Sequence, residues 1–433
     1  MALDHEIDIE ITDEFEDVFN ILENTNQHVF LSGKAGTGKS TFLQYFRQNT
    51  NKNHVVLAPT GVSAINVAGQ TIHSFFKFKP WFTPNELPKM RANQLKIYRA
   101  IDIIIIDEIS MVRADIFDQI ELFMRRYGKV RGAPFGGCQI CVIGDMYQLP
   151  PVVSNQDATV YYDFYETPYF FSSQAFQTEA GQFVNISFTK IFRQSEADFI
   201  NILNKIRDGA LTNSELEWFN EQCCQQKAIE EIQPIILTAT NYLAERTNQA
   251  RLGALSGEPY RYQGIAKGSF EKDQSKLPAA FDLELKIGAQ VMFLRNDPDK
   301  RWVNGTIGII SRLTAKSIFV MLDDIEVKIE QEKWESIKYE YNEAEDKLDE
   351  QVVGSFKQYP LQLAWAVTIH KSQGKTFDHV EIDLGRGAFA FGQTYVALSR
   401  CRNLSGIYLR SPIKLSDIQV DARVIEFSNE LIA

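Results

Sequence analysis

A glycine-rich loop stands between a strand-like and a helical segment near the start of this chain, and it restricts the possible fold more than any other feature. The loop reads GKAGTGKS from Gly33 to Ser40, after HVFLS and before TFLQYFRQ. Glycines let backbone amides approach phosphate oxygens without a Cβ in the way. The amino end of the following helix adds a positive dipole end. The pattern GxxxxGK[ST] in this setting predicts an α/β P-loop domain that binds ATP.

The loop also predicts individual roles. Lys39 is expected to bridge the β- and γ-phosphates, and Ser40 to bind Mg²⁺. The other residues expected to line the phosphates are Gly33, Gly36, Thr37, Gly38 and Thr41.

Two further strands in the first third of the chain end in polar residues. IIIIDEIS ends in Asp107 and Glu108, and GDMYQLPPV contains Gln148. Ligands of α/β proteins bind at the carboxyl ends of the strands. We therefore expect Asp107 to hold Mg²⁺ through water, Glu108 to orient and deprotonate the attacking water, and Gln148 to sense the γ-phosphate. Each element alone is also compatible with an ordinary strand end or turn.

The order of strand-like and helical segments predicts two α/β domains with a β-rich insertion. Residues 1–183 form the first domain, with a small hairpin insertion around 74–95. The second domain is expected to comprise 184–250, 286–305 and 358–433. The insertion is expected to comprise 251–285 and 306–357.

Composition excludes several classes of protein. The 433 residues carry a net charge of −11, which argues against bulk electrostatic coating of nucleic acid but not against a local basic groove. No apolar run is long enough to cross a bilayer, and the acidic start is unlike a targeting peptide. We expect a cytoplasmic protein, or a nucleoid-associated one if the source is bacterial. Cys138 and Cys141 form a CxxC without a partner pair, so a buried strand accounts for them better than zinc.

With these elements in order, the chain resembles the superfamily 1 helicases, specifically the petite-integration-frequency (PIF) family and its RecD-like relatives. The resemblance covers nearly the whole chain and rests on five further segments. They are APTGVSAINVAGQTIHSFF (58–76), DIFDQIELFMRRYGKVRGAPFGG (115–137), KIFRQSEADFINILNKIRDG (190–209), LAWAVTIHKSQGKTFDHVEIDL (363–384) and GQTYVALSRCRN (392–403). The last two, motifs V and VI, are highly specific.

The resemblance implies two RecA-like domains with ATP in the cleft between them, and an insertion that forms a small SH3-like β-barrel. Arg193 and Arg400 would act as arginine fingers on the transferred phosphoryl group. Gly374 would approach the γ-phosphate through its backbone, and Gln27 resembles the adenine-reading glutamine of the family.

The resemblance also implies a single-stranded DNA track across both domains, built from backbone amides and hydroxyls at strand ends. The residues expected along it are Pro59, Thr60, Gly61, His73, Phe76, His370, Lys371 and Ser372. The segment FFKFKPWFTPNELPKMR (75–91) interleaves aromatic and basic residues, which suits either a stacking wedge or an ordinary hydrophobic hairpin.

The function implied is an ATP- and Mg²⁺-dependent DNA helicase. It would act as a monomer on single-stranded and on tailed or forked duplex DNA, moving 5′ to 3′. The alternative is a nucleic-acid-stimulated ATP switch or remodeller that does not unwind duplex.

Overall fold

The computed structural model describes residues 11–79, 82, 86–194, 196–224, 232–272, 277–322, 324–342 and 344–432. The chain forms two compact units. Unit 1 contains residues 1–146, 151–192 and 337–351, and unit 2 contains residues 147–150, 193–336 and 352–433.

Unit 1 is built on a six-stranded sheet in the order β3-β2-β4-β5-β1-β6, with all neighbouring strands parallel. Its strands are β1 His28–Gly33, β2 His54–Ala58, β3 Gln70–Thr71, β4 Ile103–Ile106, β5 Gln139–Gly144 and β6 Phe183–Phe188. Its helices are α1 Asp13–Asn24, α2 Lys39–Asn49, α3 Gly61–Asn66, α4 Ile72–Phe76, α5 Leu95–Ala100, α6 Ala114–Tyr127, α7 Asn155–Tyr161 and α8 Gln174–Glu179.

The apolar strands in the middle of this sheet explain why it forms. Every residue of β4 and β5 is buried, as expected for parallel strands covered by helices on both faces. On one face, α1 and α2 pack their apolar sides onto β1, with Phe15, Phe42 and Phe46 in the core. The predicted parallel α/β domain is confirmed.

The boundary of the first domain differs from the sequence-based one. β6 was expected to begin the second domain, but it pairs with β1 along its whole length, from His28↔Phe183 to Gly33↔Phe188. Its hydrogen bonds complete the edge of the first sheet, so unit 1 continues to Phe192. The apolar pattern of a strand identifies the strand but not its partner, and this explains the error.

Unit 2 contains a second parallel sheet, in the order β18-β7-β19-β20. These strands are β7 Ile235–Thr238, β18 Ala366–Thr368, β19 Val380–Asp383 and β20 Ile407–Leu409. The helices of unit 2 are α9 Ala197–Arg207, α10 Asn213–Cys223, α11 Asn241–Ala254, α12 Ser269–Lys272, α13 Gln393–Leu398 and α14 Ala422–Ile432.

The insertion predicted within the second domain is β-rich, as expected. A five-stranded antiparallel sheet has the order β14-β13-β12-β11-β17, and β15-β16-β9 and β10-β8 form two smaller sheets. The strands are β8 Tyr260–Gln263, β9 Ile265–Gly268, β10 Asp282–Leu285, β11 Gln290–Phe293, β12 Ile307–Thr314, β13 Ser317–Leu322, β14 Ile325–Ile329, β15 Glu332–Asn342, β16 Lys347–Gln358 and β17 Leu361–Leu363.

The predicted boundaries of the insertion, 251–285 and 306–357, are also wrong. β11 and β17 were assigned to the second α/β domain, but both pair within the five-stranded antiparallel sheet. Their buried residues share one core with β12 and β13, in which Phe293 stacks on Trp302 at 4.4 Å. The insertion therefore extends over both flanking strands.

The hairpin tip 337–351, which includes the end of β15 and the start of β16, belongs to unit 1. The Tyr339 hydroxyl accepts a hydrogen bond from the Val56 backbone amide at 3.0 Å. The Asn53 side chain bonds to the backbone of Asp346 and Leu348 at 3.0 and 3.1 Å. β3 covers only the last two residues of β2, so the hairpin tip protects the remaining exposed edge of that strand.

The hairpin insertion predicted around 74–95 does not appear among its described residues. They form the end of α4 and a short 3₁₀ helix, Ala92–Gln94, with no strand between them. Residues 80, 81 and 83–85, at the middle of the predicted hairpin, lie outside the described part of the chain. Among the helices that the structure describes, none has the length and apolarity needed to span a membrane.

Candidate functional site

The polar residues predicted in unit 1 meet at one edge of its sheet. β2, β4, β5 and β1 are consecutive neighbours and run in the same direction. Their carboxyl ends lead respectively into Pro59, Asp107, Asp145 and the P-loop. A crevice at the carboxyl edge is where ligands bind in such sheets, so the structure brings the predicted residues together where a nucleotide is expected.

The P-loop has the backbone that phosphate binding requires. Gly36 and Gly38 have φ angles of 84° and 87°, which residues with a Cβ adopt only with strain. At Gly33, an added Cβ would lie 2.6 Å from the Thr37 hydroxyl. Side chains in these places would distort the loop, so the predicted strand–loop–helix arrangement is confirmed.

Three side chains of the loop have the environment expected for a nucleotide site. The Lys39 ammonium donates to the backbone carbonyls of Gly33 and Lys34 at 2.6 and 2.9 Å, which holds it over the loop. Thr37 is buried and its hydroxyl donates to the Lys34 carbonyl. Ser40 is exposed at the start of α2 and Thr41 follows it, partly buried. Ser40 is therefore accessible as a ligand for Mg²⁺.

Asp107 and Glu108 follow β4 in a constrained turn. The Asp107 amide donates to the Leu57 carbonyl of the neighbouring strand, and Glu108 has a left-handed backbone with φ of 53°. Left-handed residues other than glycine concentrate at functional sites. Burial and then the Glu108 carboxylate raise the pKa of Asp107, and the nearby Lys39 opposes this effect. A cation beside Asp107 would favour its ionised form, which fits the expected role of Asp107 at Mg²⁺.

Phe192 joins this site, although the motifs do not point to it. Its amide donates to the Gly36 carbonyl at 2.8 Å, and its ring lies 3.6 Å from the position of a Cβ on Gly38. The ring is 50% exposed, and the Lys190 ammonium lies 5.2 Å from its centroid. A half-exposed ring beside a P-loop offers a flat surface on which a nucleotide base can stack. The exposed aromatic just before Arg193 was the available sequence signal.

Gln27 is not at the nucleotide site. It precedes β1 at its amino end, whereas the P-loop begins at the carboxyl end of the same strand. Six residues of extended chain span about 20 Å. The Gln27 carbonyl accepts from the Gln139 side chain, so Gln27 sits at the opposite edge of the sheet and its assignment as the adenine-reading residue is wrong.

Most of the residues predicted to contact DNA in unit 1 are accessible, and Phe76 is not. Pro59, Thr60 and Gly61 follow β2, where Thr60 caps α3 by accepting from the Ser63 amide. A Cβ on Gly61 would meet no atom within 4 Å, and His73 is only partly buried in α4. These positions are open to a ligand.

The expectation that Phe76 lies along the DNA track is wrong. Its side chain is fully buried and packs on Phe78, Tyr98 and Phe123 at ring separations between 5.1 and 6.1 Å. A base cannot stack on a ring that has no exposed face, so Phe76 belongs to the core of unit 1.

Motif V lies at the carboxyl end of β18 in unit 2. His370 is partly buried and Lys371 is exposed in the 3₁₀ helix His370–Ser372. Ser372 is fully buried, and its hydroxyl donates to the Ile369 carbonyl at 2.7 Å. Ser372 therefore stabilises the turn, and its expected hydroxyl contact with DNA is wrong.

The next residues of motif V combine an open backbone with a confined cation. Gly374 has φ of 75° and open space at its Cβ position, as backbone approach to a phosphate requires. Burial and then the charge of Lys371 lower the pKa of Lys375 to about 8. Lys375 was not predicted as a site residue, because its burial cannot be read from its place in motif V. A confined ammonium of this kind is stabilised by an anionic ligand.

The two candidate arginine fingers converge on Ser399 in unit 2. Arg193 donates to the Ser399 carbonyl at 3.3 Å. Arg400 is buried and donates to the Ser399 hydroxyl at 2.8 Å and to the Val396 carbonyl at 2.9 Å. Gln194 ties the same turn together by donating to the carbonyls of Ser399 and Cys401. The segment 190–209 and motif VI therefore form one hydrogen-bonded group.

Gln148 also belongs to unit 2, as part of residues 147–150. Its side-chain oxygen accepts from Gln373 of motif V at 3.4 Å. A Cβ on Gly392 of motif VI would lie 2.3 Å from the Tyr147 carbonyl, and the Arg207 guanidinium stacks 3.7 Å from the Tyr147 ring centroid. Residues 147–150 are thus held within unit 2 by contacts with motifs V and VI.

The cysteines fit the predicted buried strand. Cys141 lies within β5 and Cys138 just before it, and both are buried. Burial raises the pKa of both thiols, which disfavours the thiolate that zinc binds. Within the described ranges, no group of three or more His, Cys, Asp or Glu residues is placed to hold a metal ion.

Comparisons with known proteins agree with this geometry. A model of the family described as PIF1-like helicase matches residues 10–217. The ATP-dependent DNA helicase Pif1 of Bdellovibrio bacteriovorus is 33% identical over 97% of this chain and 92% of its own. The human ATP-dependent DNA helicase PIF1 is 32% identical over 93% of this chain, which spans 61% of the human protein.

Solved structures of Pif1 helicases are also similar to this chain. A Bacteroides Pif1 in complex with ADP-AlF4 is 36% identical, with a TM-score of 0.89 over 98% of this chain and 97% of that one. A structure of Bacteroides Pif1 bound to single-stranded DNA has a TM-score of 0.67 at the same identity and coverage.

Proposed function

The chain belongs to the PIF1-like helicase family, and we propose that it is an ATP-dependent DNA helicase that moves 5′ to 3′ along one strand and unwinds duplex. The observation that carries this proposal is that the P-loop after β1 and Asp107 and Glu108 after β4 lie at the same carboxyl edge of one parallel sheet, with β5 between the two strands. The direction of movement rests on the family. The proposed place of action is the cytoplasm, or the nucleoid if the source is bacterial.

In unit 1, the P-loop amides and Lys39 hold the phosphates of ATP. Ser40 would hold Mg²⁺ directly and Asp107 would hold it through water, and the bound ion would supply positive charge beside the phosphates. Glu108 orients the attacking water and accepts its proton. The ring of Phe192 provides a surface for the adenine base.

In unit 2, Arg193 and Arg400 would stabilise the transition state. Charge on the transferred phosphoryl group needs cations in addition to those of the P-loop. Gln148 reports the presence of the γ-phosphate to motif V, whose Gln373 it contacts. Gly374 offers its backbone to the same phosphate.

The DNA track combines strand ends of both units. Thr60, Gly61 and His73 contribute from unit 1, and His370 and Lys371 from unit 2. Backbone amides and polar side chains at these positions bind phosphates without regard to sequence. Alternating grip on single-stranded DNA, driven by binding and hydrolysis of ATP, would move a monomer along the strand and through tailed or forked duplex.

Replacing the catalytic carboxylate tests the proposal. Glu108→Gln keeps the shape of the side chain but removes the base, so ATP and single-stranded DNA should bind normally while hydrolysis and unwinding both fail. Glu221→Gln, at an exposed position of α10, is the matched control and should behave as wild type.

Two outcomes would contradict the proposal. Normal hydrolysis by Glu108→Gln would remove Glu108 from the mechanism. Wild-type hydrolysis that responds to single-stranded DNA but separates no duplex would favour the ATP switch or remodeller instead.

A further inference from the structure

Three exposed cations from separate segments gather on unit 1, next to the strand ends assigned to the DNA track. They are Lys77 at the end of α4, Arg91 before the 3₁₀ helix Ala92–Gln94, and Lys338 in the hairpin tip 337–351. We call them the basic triad. None of them belongs to a helicase motif described above.

An aromatic cluster fixes the three segments against one another. The Tyr339 ring contacts Phe75 at a centroid distance of 6.0 Å, and Tyr98 contacts the same Phe75 ring at 5.4 Å. The Tyr98 hydroxyl also donates to the Phe75 carbonyl at 2.8 Å. Lys77 follows Phe75 by two residues, Lys338 precedes Tyr339, and Arg91 precedes the helix that carries Tyr98. The cluster therefore places all three cations in one region.

Lys338 is held between two anchored neighbours. The Ile337 carbonyl accepts from the Gln70 side chain at 2.9 Å, and the Tyr339 hydroxyl accepts from the Val56 amide at 3.0 Å. The Lys338 side chain nevertheless remains 56% exposed. Its backbone is thus fixed while its ammonium stays available to a ligand.

The triad lacks the close carboxylates that other cations on the same insertion have. Lys328 and Lys333 each lie 2.6 Å from a glutamate two residues away. Lys338 lies 3.8 Å from Glu340, too far for a hydrogen bond. The salt bridges of the described chain include neither Lys77 nor Arg91. Burial first, and then the charges of Lys338 and Arg91, lower the pKa of Lys77, because both cations disfavour its ammonium.

Cations that lie close together repel one another, and an anion bound between them relieves that repulsion. Under the proposed function, the anion that binds here is DNA. Lys77 lies one helical turn beyond His73, because the Phe78 amide donates to the His73 carbonyl. The triad thus lies just past the last unit 1 residue of the track.

We propose that Lys77, Arg91 and Lys338 form a second DNA site, which binds backbone phosphates of the duplex ahead of the single-stranded track. This inference rests on the proposed function, since it presumes that a strand passes Thr60 and His73. Lys77 and Arg91 both belong to the segment 75–91, whose sequence suits either a stacking wedge or an ordinary hydrophobic hairpin. Phosphate contacts of this kind are independent of sequence and sensitive to salt.

The test compares binding of two probes by the full chain as a function of salt. One probe is a 5′-tailed forked duplex, and the other is a single strand identical to the tail. The variant is Lys77→Gln/Arg91→Gln/Lys338→Gln. The control is Arg312→Gln/Lys328→Gln/Lys333→Gln, which removes the same charge from residues that are 53%, 52% and 56% exposed and paired with glutamates.

Each lost phosphate contact should lower the slope of log K against log salt by about 0.9 on duplex. The triad variant should therefore lose about two to three in slope on the fork, and roughly 10- to 100-fold in affinity near physiological salt. Binding to the single strand, and hydrolysis stimulated by it, should stay at wild-type values. The control variant should match wild type on both probes.

Two results would overturn this second site. An unchanged slope on the fork would show that the triad binds no phosphate. Equal losses on fork and single strand would place the triad within the track and not ahead of it. If wild type itself shows no hydrolysis stimulated by single-stranded DNA, the proposed function fails first, and that result is independent of the triad variant.

Discussion

Lys375 lies in motif V, and we expect its charge to lower the stability of the folded protein. It follows Gly374 in motif V, and burial together with the charge of Lys371 lowers its pKa from 10.5 to about 8. The folded protein without ligand therefore disfavours the ammonium. Lys375→Met removes the charge and keeps most of the apolar stem, so this variant should be more stable than wild type.

The size of the effect follows from linkage. A change of one pKa unit corresponds to about 1.4 kcal/mol, so the shift sets an upper limit of about 3.4 kcal/mol. Lys375 is not fully buried and solvent screens its charge, so we expect a gain of about 1–2 kcal/mol at neutral pH. Lys371→Met, at an exposed neighbour, should change stability by less than about 0.5 kcal/mol.

The difference in stability between wild type and Lys375→Met should depend on pH. Below about pH 8 both folded and unfolded states are protonated at Lys375, and the folded state carries the full penalty. Between about 8 and 10.5 the unfolded state alone keeps the proton, so wild-type stability rises with pH relative to the variant. The difference between the two proteins should therefore shrink towards zero near pH 10.5.

Urea unfolding of wild type, Lys375→Met and Lys371→Met at several pH values measures this directly. A variant less stable than wild type at neutral pH, or a difference independent of pH, would refute the reasoning. Hydrolysis of ATP should fall in Lys375→Met at the same time, because the confined ammonium then has no anion to meet. A substitution that raises stability and lowers activity is typical of a residue that is retained for its function.

The other predictions concern the nucleotide site. Lys39→Ala should abolish hydrolysis while circular dichroism stays unchanged, and wild-type turnover in the folded variant would refute the P-loop assignment. Arg193→Ala and Arg400→Ala should each lower kcat by about 10³-fold or more with little change in nucleotide affinity, since a finger acts on transition-state charge; normal hydrolysis by either variant would make that arginine structural. Phe192→Ala should raise KM for ATP about 5- to 10-fold, matching about 1 kcal/mol of lost stacking, with a small change in kcat. An unchanged KM would exclude the ring as a base platform.

The parts of the site that follow from local chain geometry were predictable. Lys39 and Ser40 lie within one loop, and Asp107 and Glu108 follow a strand whose apolar residues identify it. Their position at the carboxyl edge is a property of every parallel sheet. The sequence order alone therefore placed the candidate catalytic residues of unit 1 correctly relative to the sheet.

The errors arose where tertiary packing decides the role of a side chain. Phe76 and Ser372 stand in DNA-binding motifs but are buried, one in an aromatic cluster and the other in a turn. Gln27 precedes the P-loop strand in sequence but lies at the far edge of the sheet. The hairpin tip 337–351 belongs to unit 1 through bonds to β2 across almost 300 residues of sequence, which no local pattern reveals.

Unwinding of three labelled duplexes tests the central claim most directly. One duplex carries a single-stranded 5′ tail, one a 3′ tail, and one has blunt ends, each with ATP and Mg²⁺. If the chain moves 5′ to 3′ on the strand that it holds, it should separate the 5′-tailed duplex alone, and Glu108→Gln should separate none. Preferential separation of the 3′-tailed duplex would contradict the account.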